Sequence, residues 1–355
     1  MEEGIFHKGD NRGIGDILLL DRVRWAIAQT ATLDLAVSIG HQDMRILVMG
    51  GTRFIGVYLT KLLVAQGHEV VLFNRGNRPA PVEGVTTITG DRTSAVELQE
   101  KLSSEHFDAI FDNNGRELSD TQPLGEIFQG KIQHFVYMSS AGVYVPGMEL
   151  PHVEGDAVDP KSRHKGKHET EAYLAQSGLP FTSIRPTYIY GPQNYNELEG
   201  WFFDRIVRDR PIPIPGHGLH ITQLGHVQDL AAAMTRVLGS RQAIGQIYNV
   251  SGDRYVSFDN LARACALAAG KQPESLQIVH YDPKKFDFGK KKSFPFRLQH
   301  FFAAIDKARR ELDWQPQYDL ISGLKDAFAN DYLASGRDKA EVDFSLDEQI
   351  LADRS

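Results

Sequence analysis

Cysteine is almost missing from this chain: Cys265 stands alone among 355 residues. A lone cysteine excludes an intramolecular disulfide and a cysteine-rich zinc site, and it fits a reducing compartment. Within the helical pattern of residues 261–269, burial as a small apolar residue is the ordinary role for that thiol, ahead of nucleophilic chemistry. Long apolar runs are missing too. Stretches such as 17–20 and 110–111 fall far short of the ~20 residues a membrane helix needs, so a soluble, cytoplasmic-type chain with no membrane partner is expected. Nor is there an excess of positive charge. With 39 Lys and Arg against 46 Asp and Glu, the net charge of −7 gives no global attraction to nucleic acid or anionic lipid, so a polyanion site must be a local patch. Internal repeats are absent as well. Hydrophobic residues at 41% and charged residues at 24% are ordinary for globular proteins, and the length suggests about two domains at roughly 150 residues each.

Residues 1–43 carry Glu2, Glu3, Asp10, Asp16, Asp21, Asp34 and Asp43 against Lys8, Arg12, Arg22 and Arg24. This acidity argues against a transit peptide, and no apolar core of a signal peptide follows the basic residues. A disordered extension that folding does not need is expected there, with Met44 as the natural start.

From Met44 the pattern alternates regularly. It predicts strands at 45–49, 69–74, 85–89, 107–112, 133–139 and 181–186, and helices at 54–66, 94–103, 119–129 and 162–177. Short apolar strands separated by helices imply a parallel sheet covered on both faces, because parallel strands need crossover connections. The fold class is therefore α/β: a Rossmann-type doubly wound sheet over 44–192. Further helices at 198–208, 227–239, 258–269, 303–312 and 319–333, with strands near 212–215, 246–250 and 276–281, predict a smaller mixed lobe over 193–335, interleaved with the core. Polar, acid-rich residues 336–355 predict a mobile tail.

Gly50, Gly51 and Gly56 bracket Thr52, Arg53, Phe54 and Ile55 between a strand and a helix. Small residues in that context let the chain turn sharply and aim backbone N–H groups and a helix N-terminus at a pyrophosphate. After the second strand, Asn74-Arg75 lacks the carboxylate that would bind an adenosine ribose, and Arg75 instead suits a 2′-phosphate, which favours NADP over NAD. Asp91, after Gly90, is placed to lie beside an adenine.

Together with Ser139-Ser140-Ala141-Gly142-Val143-Tyr144, Arg185-Pro186-Thr187-Tyr188, His226-Val227-Gln228-Asp229 and Leu312-Asp313-Trp314, these motifs resemble the extended short-chain dehydrogenase/reductase superfamily over residues 44–333. The family spaces its glycines as G-x-x-G-x-x-G, and here the middle one is Arg53, whose guanidinium is suited to phosphate. Hydride-transferring members use a Ser or Thr and a Tyr-x-x-x-Lys pair. On that resemblance Ser140 and Lys167 are the retained catalytic positions, and Arg163 stands where the tyrosine would. A guanidinium cannot exchange a proton near neutral pH. Neither Tyr173, by helical phase, nor Tyr144, a packing aromatic, replaces the phenol, so hydride transfer is expected to be weak.

Cations concentrate at the same place: Lys161, Arg163, Lys165 and Lys167 lie with His164 and His168 in eight residues. A second tract holds Lys284, Lys285, Lys290, Lys291, Lys292 and Arg297, interleaved with Phe286, Phe288, Phe294 and Phe296. Cations that track phosphates and rings that stack on bases suit single-stranded nucleic acid. Equally, lysines facing water over packed phenylalanines give the same pattern. Arg53, Arg163 and the strand end Asp112-Asn113-Asn114-Gly115-Arg116 make the chain resemble the b-type chloroplast stem-loop-binding proteins and their cyanobacterial relatives.

That resemblance implies an RNA-binding protein, cytoplasmic or in the plastid stroma, working on transcript or ribosomal RNA. It also implies a homo-oligomer pairing through the helices at 119–129 and 162–177, and weak metal-dependent endoribonuclease activity. Asp91 and Asp112 are the candidate ligands for Mg²⁺, against the simpler role of Asp91 as a turn cap or adenine contact. Two other readings stay open: an NADP-linked reductase or sugar-nucleotide epimerase or dehydratase with an altered catalytic set, and a regulator that senses a dinucleotide without turnover.

Overall fold

A computed structural model describes residues 43–147 and 149–353. The expected extension over 1–43 lies outside them except for Asp43. Strand β1 (Arg45–Met49) shows why the fold forms. Its Ile46 and Val48 point into one apolar cluster and its Leu47 and Met49 into another, the period-two alternation of a strand buried on both faces. On the first face lie helices α1 (Ile55–Ala65) and α6 (Val227–Arg236), which pack on each other and contribute Leu59, Leu63, Leu230 and Met234. On the second lie α2 (Ala95–Leu102), α3 (Leu118–Phe128) and α4 (Lys165–Ser177), contributing Leu98, Leu124, Phe128 and Leu174.

Six further strands join β1: β2 (Glu69–Asn74), β3 (Thr86–Thr89), β4 (Ala109–Asp112), β5 (His134–Met138), β6 (Phe181–Pro186) and β11 (Gln246–Val250). Every pairing is parallel and the order is β11-β6-β5-β4-β1-β2-β3. Strand order reverses between β1 and β4, and the crevice at the carboxyl ends there is where open α/β sheets bind ligands.

The smaller lobe is built by β7 (Tyr188–Tyr190) beside β10 (Leu224–His226), β8 (Ile212–Pro215) beside β13 (Ile278–Tyr281), and β9 (Ile221–Thr222) beside β12 (Val256–Ser257). Helices α5 (Glu199–Ile206), α7 (Phe258–Ala268) and α9 (Leu320–Ala327) pack on them, while α8 (Asp306–Leu312) lies against β11. Cys265 is fully buried in the lobe core, as its helical setting predicted.

Four expectations need correction. The helix expected over 162–177 begins only at Lys165, because the Ser162 hydroxyl donates to the Gly142 carbonyl (2.7 Å) and accepts from His164 N (3.1 Å), holding 162–164 as a turn. The helix expected from 303 starts at Asp306, since Phe301 and Ala303 bridge to Thr222 and His152. Residues 319–333 do not form one regular helix, because α9 runs into a π turn over Phe328–Leu333. Within the expected mobile tail, residues 345–352 form helix α10 (Ser345–Ala352). It seats Ile350 and Asp347 against the lobe, and the Asp347 carboxylate pairs with the buried Arg205 at 2.7 Å.

Candidate functional site

The glycine loop follows β1. Gly50 and Gly51 adopt φ of +97° and +85°, a region that disfavours side chains. A Cβ at Gly56 would stand 2.8 Å from the Gly51 backbone, so α1 starts hard against the turn. Among the described residues no acceptor takes the amides of Thr52, Arg53 and Phe54, and with Ile55 opening the helix they form a cradle for an anion at a helix N-terminus. Arg53 does not fill it: its guanidinium stacks 4.0 Å above the Tyr195 ring of the lobe, which in turn meets Phe54 edge-on. Asn74 ties the loop to β2, accepting from Gly76 N at 2.8 Å and donating to Gly50 O at 3.4 Å. Arg75 is exposed and in no ion pair among the described residues. This donor set fits a dinucleotide pyrophosphate, with a 2′-phosphate within the chemistry of Arg75.

The proposed metal pair does not survive the geometry. Asp91 caps its own turn, its Oδ1 accepting from Thr93 N (2.9 Å) and Thr93 Oγ1 (2.8 Å), and those bonds hold its carboxyl below the usual range. Asp112 is fully buried and committed. Both its oxygens take the Arg92 guanidinium (2.6 and 3.2 Å), with further bonds from Thr121 Oγ1 (2.6 Å) and Gly115 N (3.0 Å). Burial pushes the Asp112 carboxyl up, but the Arg92 charge and these bonds outweigh it and leave it low. Among the described residues no cluster of three His, Cys, Asp or Glu is arranged for a metal. Arg92 escaped the sequence reading. The available signal was an arginine directly after Gly90-Asp91 facing an acidic strand end. Arg92 also bonds the Asn114 side chain, which lies against Gly50.

Where the family keeps its acid/base set, the structure holds cations. Ser140 Oγ accepts from Gly142 N (3.0 Å) and caps the short turn Ala141–Val143. Lys167 donates to the Met138 carbonyl and lies 5.0 Å above the Tyr137 ring. Burial lowers its ammonium to about 8, against the raising effect of Asp112. Arg163 sits outside α4, exposed, donating from Nε to His164 Nε2 at 3.1 Å. Gly142 explains the rest of the arrangement. A Cβ there would stand 2.6 Å from His164 Cδ2 and 2.9 Å from an Arg297 terminal nitrogen, so only glycine lets both side chains close over it. Burial, then Arg163 and Arg297, push the His164 imidazole down to about 4. Arg297 enters from the lobe, where its backbone N–H donates to the Tyr188 hydroxyl at 3.0 Å.

Tyr173 and Tyr144 stay away from this chemistry, as expected. The first packs between α3 and α4, its hydroxyl against Gly125 and Gln122 O; the second is buried, bonded to Asn249 Oδ1 at 2.7 Å. Arg297, distant in sequence, is thus brought beside the run that holds Arg163, His164 and Lys167. Lys165 is exposed on the first turn of α4, and Lys290, Lys291 and Lys292 are exposed on the lobe. Phe294 is a correction. As a candidate for stacking on a base it fails, and the alternative of a packed phenylalanine holds for it: it is buried among Trp201, Phe202 and Phe258, because alternate residues of that segment face the lobe core.

Comparison with known proteins agrees with the fold. The model of the NAD dependent epimerase/dehydratase family matches residues 46–123 and 121–251. The chain belongs to that family. It is 50% identical, over 87% of its length and 85% of the other's, to the chloroplast stem-loop binding protein of 41 kDa b of Arabidopsis thaliana. Among solved structures, the family fold recurs in UDP-glucose 4-epimerase of Thermotoga maritima (TM-score 0.69, 20% identity, 83% of this chain and 100% of that one). It recurs also in an epimerase of Methanothermobacter thermautotrophicus (0.70, 21%, 87% and 98%). Among the described residues no helix of this epimerase-family chain is long and apolar enough to cross a membrane.

Proposed function

We propose that this family member binds RNA in the cleft between sheet and lobe, and that it does not turn over hydride at an appreciable rate. The observation that carries the reading is the closure of His164 and Arg297 over Gly142, with Arg163 bonded to His164 and the Lys167 charge acting on the same ring, at the place where a proton-exchanging phenol would be required. Arg163 and Arg297 are permanent cations that neutralise phosphates and cannot exchange a proton as the phenol would, and burial keeps the His164 imidazole neutral near pH 7. The name of the 50%-identical relative supports a stem-loop RNA as ligand, in a plastid-type reducing compartment that suits the single buried thiol. The glycine cradle and Arg75 favour a second property of the same chain: it holds NADP(H) as a bound ligand, with Ser140 and Lys167 as remnants of the catalytic set.

Fluorescence anisotropy with a labelled stem-loop RNA over a salt series, run beside an NADPH oxidation assay on carbonyl and sugar-nucleotide substrates, tests the reading. Salt-sensitive binding without turnover is expected. Rapid NADPH turnover that Lys167→Ala abolishes, with no RNA retained, would overturn it.

A pH dependence follows from Lys167. An anion beside it favours the ammonium, so the pKa in the complex lies above the free value of about 8. The complex then binds more protons than the free protein, and affinity is full below about pH 8 and falls as pH rises from there toward the ordinary lysine value of 10.5. Binding titrations at pH 7, 8 and 9 should show that loss in the parent chain and a flat profile in Lys167→Met.

A further inference from the structure

Residues 282–292 of the lobe carry five lysines against two aspartates. Both aspartates are turned inward on the backbone, Asp282 Oδ1 accepting from Lys284 N (3.0 Å) and Asp287 Oδ1 from Gly289 N (2.9 Å). Lys284, Lys285, Lys290, Lys291 and Lys292 are all exposed. Between them two rings stand outside the core: Phe286 and Phe288 are half-buried and stacked, with centroids 5.5 Å apart and planes within 6°. Phe286 is braced edge-on by Tyr281 at 5.6 Å, and the Tyr281 hydroxyl is held by Ser293 at 2.9 Å. The next two phenylalanines in the tract, Phe294 and Phe296, are core residues, so the segment is anchored at one end and presents its aromatic pair at the other.

We propose that the stacked Phe286–Phe288 pair, ringed by Lys284, Lys285 and Lys290, is a seat for an unpaired nucleobase of single-stranded RNA, separate from the cleft. This inference rests on the RNA-binding reading. Pre-stacked rings offer a π surface whose conformational cost is already met, and the surrounding ammonium groups suit the flanking phosphates. A merely structural cover for the turn would need neither the parallel stack nor five exposed cations. Two of those cations, Lys285 and Lys291, stand 3.9 and 3.6 Å from Asp353 and Asp343, exposed pairs that a phosphate can displace.

The test uses the full chain and a 2-aminopurine-labelled single-stranded RNA, with a duplex of equal length as control. The variant Phe286→Leu/Phe288→Leu keeps apolar cover and removes the π faces. Single-strand affinity should fall about tenfold with the salt slope unchanged, 2-aminopurine quenching on binding should be lost, and duplex affinity and the thermal melt should not move. Should the leucine variant melt early, Lys284→Gln/Lys285→Gln/Lys290→Gln serves in its place and is expected to flatten the slope by about 0.7 for each phosphate left unneutralised. Unchanged single-strand binding in these variants, while Arg163→Glu weakens it, would overturn the seat and leave the cleft reading standing. Weakening by the platform variants but not by Arg163→Glu would do the reverse. No RNA binding by the parent chain would overturn both.

Discussion

Replacing Arg92 with leucine should cost about 3–5 kcal/mol of unfolding free energy, the usual loss when one partner of a buried ion pair is removed, and lower the melting temperature by roughly 10 °C. The Asp112 carboxylate would then be a buried charge with only Thr121 Oγ1 and Gly115 N bonded to it and the Lys167 ammonium, which makes no hydrogen bond to it, to offset it. None of its surface is exposed in the parent chain. The companion variant Arg92→Leu/Asp112→Asn removes the stranded charge, keeps an amide oxygen to accept from Gly115 N and turns an Nδ2–H toward the Thr121 hydroxyl, which can accept it, and should recover more than half of the loss. Denaturant unfolding of the two variants separates an electrostatic cause from simple loss of packing. Equal destabilisation of both would mean that the arginine stem, and not its charge, holds the strand end.

The second large effect concerns affinity. Arg163→Glu together with Arg297→Gln should weaken single-stranded RNA binding about 100-fold at low salt and flatten the log–log salt dependence by about 0.7 for each phosphate that is no longer neutralised. Arg163 is exposed and, among the described residues, makes only the hydrogen bond to His164, so its reversal should leave the fold intact. Arg297 is half-buried over the Phe301 ring, and glutamine keeps most of its apolar stem against that ring. His164 gives an internal check. With two neighbouring cations gone, its imidazole should titrate closer to the ordinary histidine value, visible in the ring proton shifts.

Much of the sheet was legible because each strand is a short apolar run and each crossover a helical period; β1 and β6 match their expected spans to the residue. What the sequence hid was pairing over long separations. Asp112 reads as a free ligand until Arg92, twenty residues earlier, is seen on it. The acidic tail reads as solvated until Asp347 is seen on Arg205, across 142 residues. Phe294 and Phe288 carry the same local pattern of aromatics among lysines, yet one lies in the core and the other at the surface, because burial is decided by the partner helices α5 and α7 and not by the tract itself. The cationic cleft was half legible. Arg163 and Lys167 sit in one run, but the arrival of Arg297 beside them depends on the fold of the lobe and on the missing Cβ of Gly142.

Photo-cross-linking places the RNA most directly. A 4-thiouridine stem-loop RNA irradiated with the full chain and digested for mass spectrometry should leave cross-links on peptides spanning 140–168 and 286–301, the two walls of the cleft and the lobe segment that leads to it. Cross-links confined to α2, α3 or the far edge of the sheet, or no cross-link above that of a non-binding control protein, would contradict an RNA site built on Arg163, His164 and Arg297.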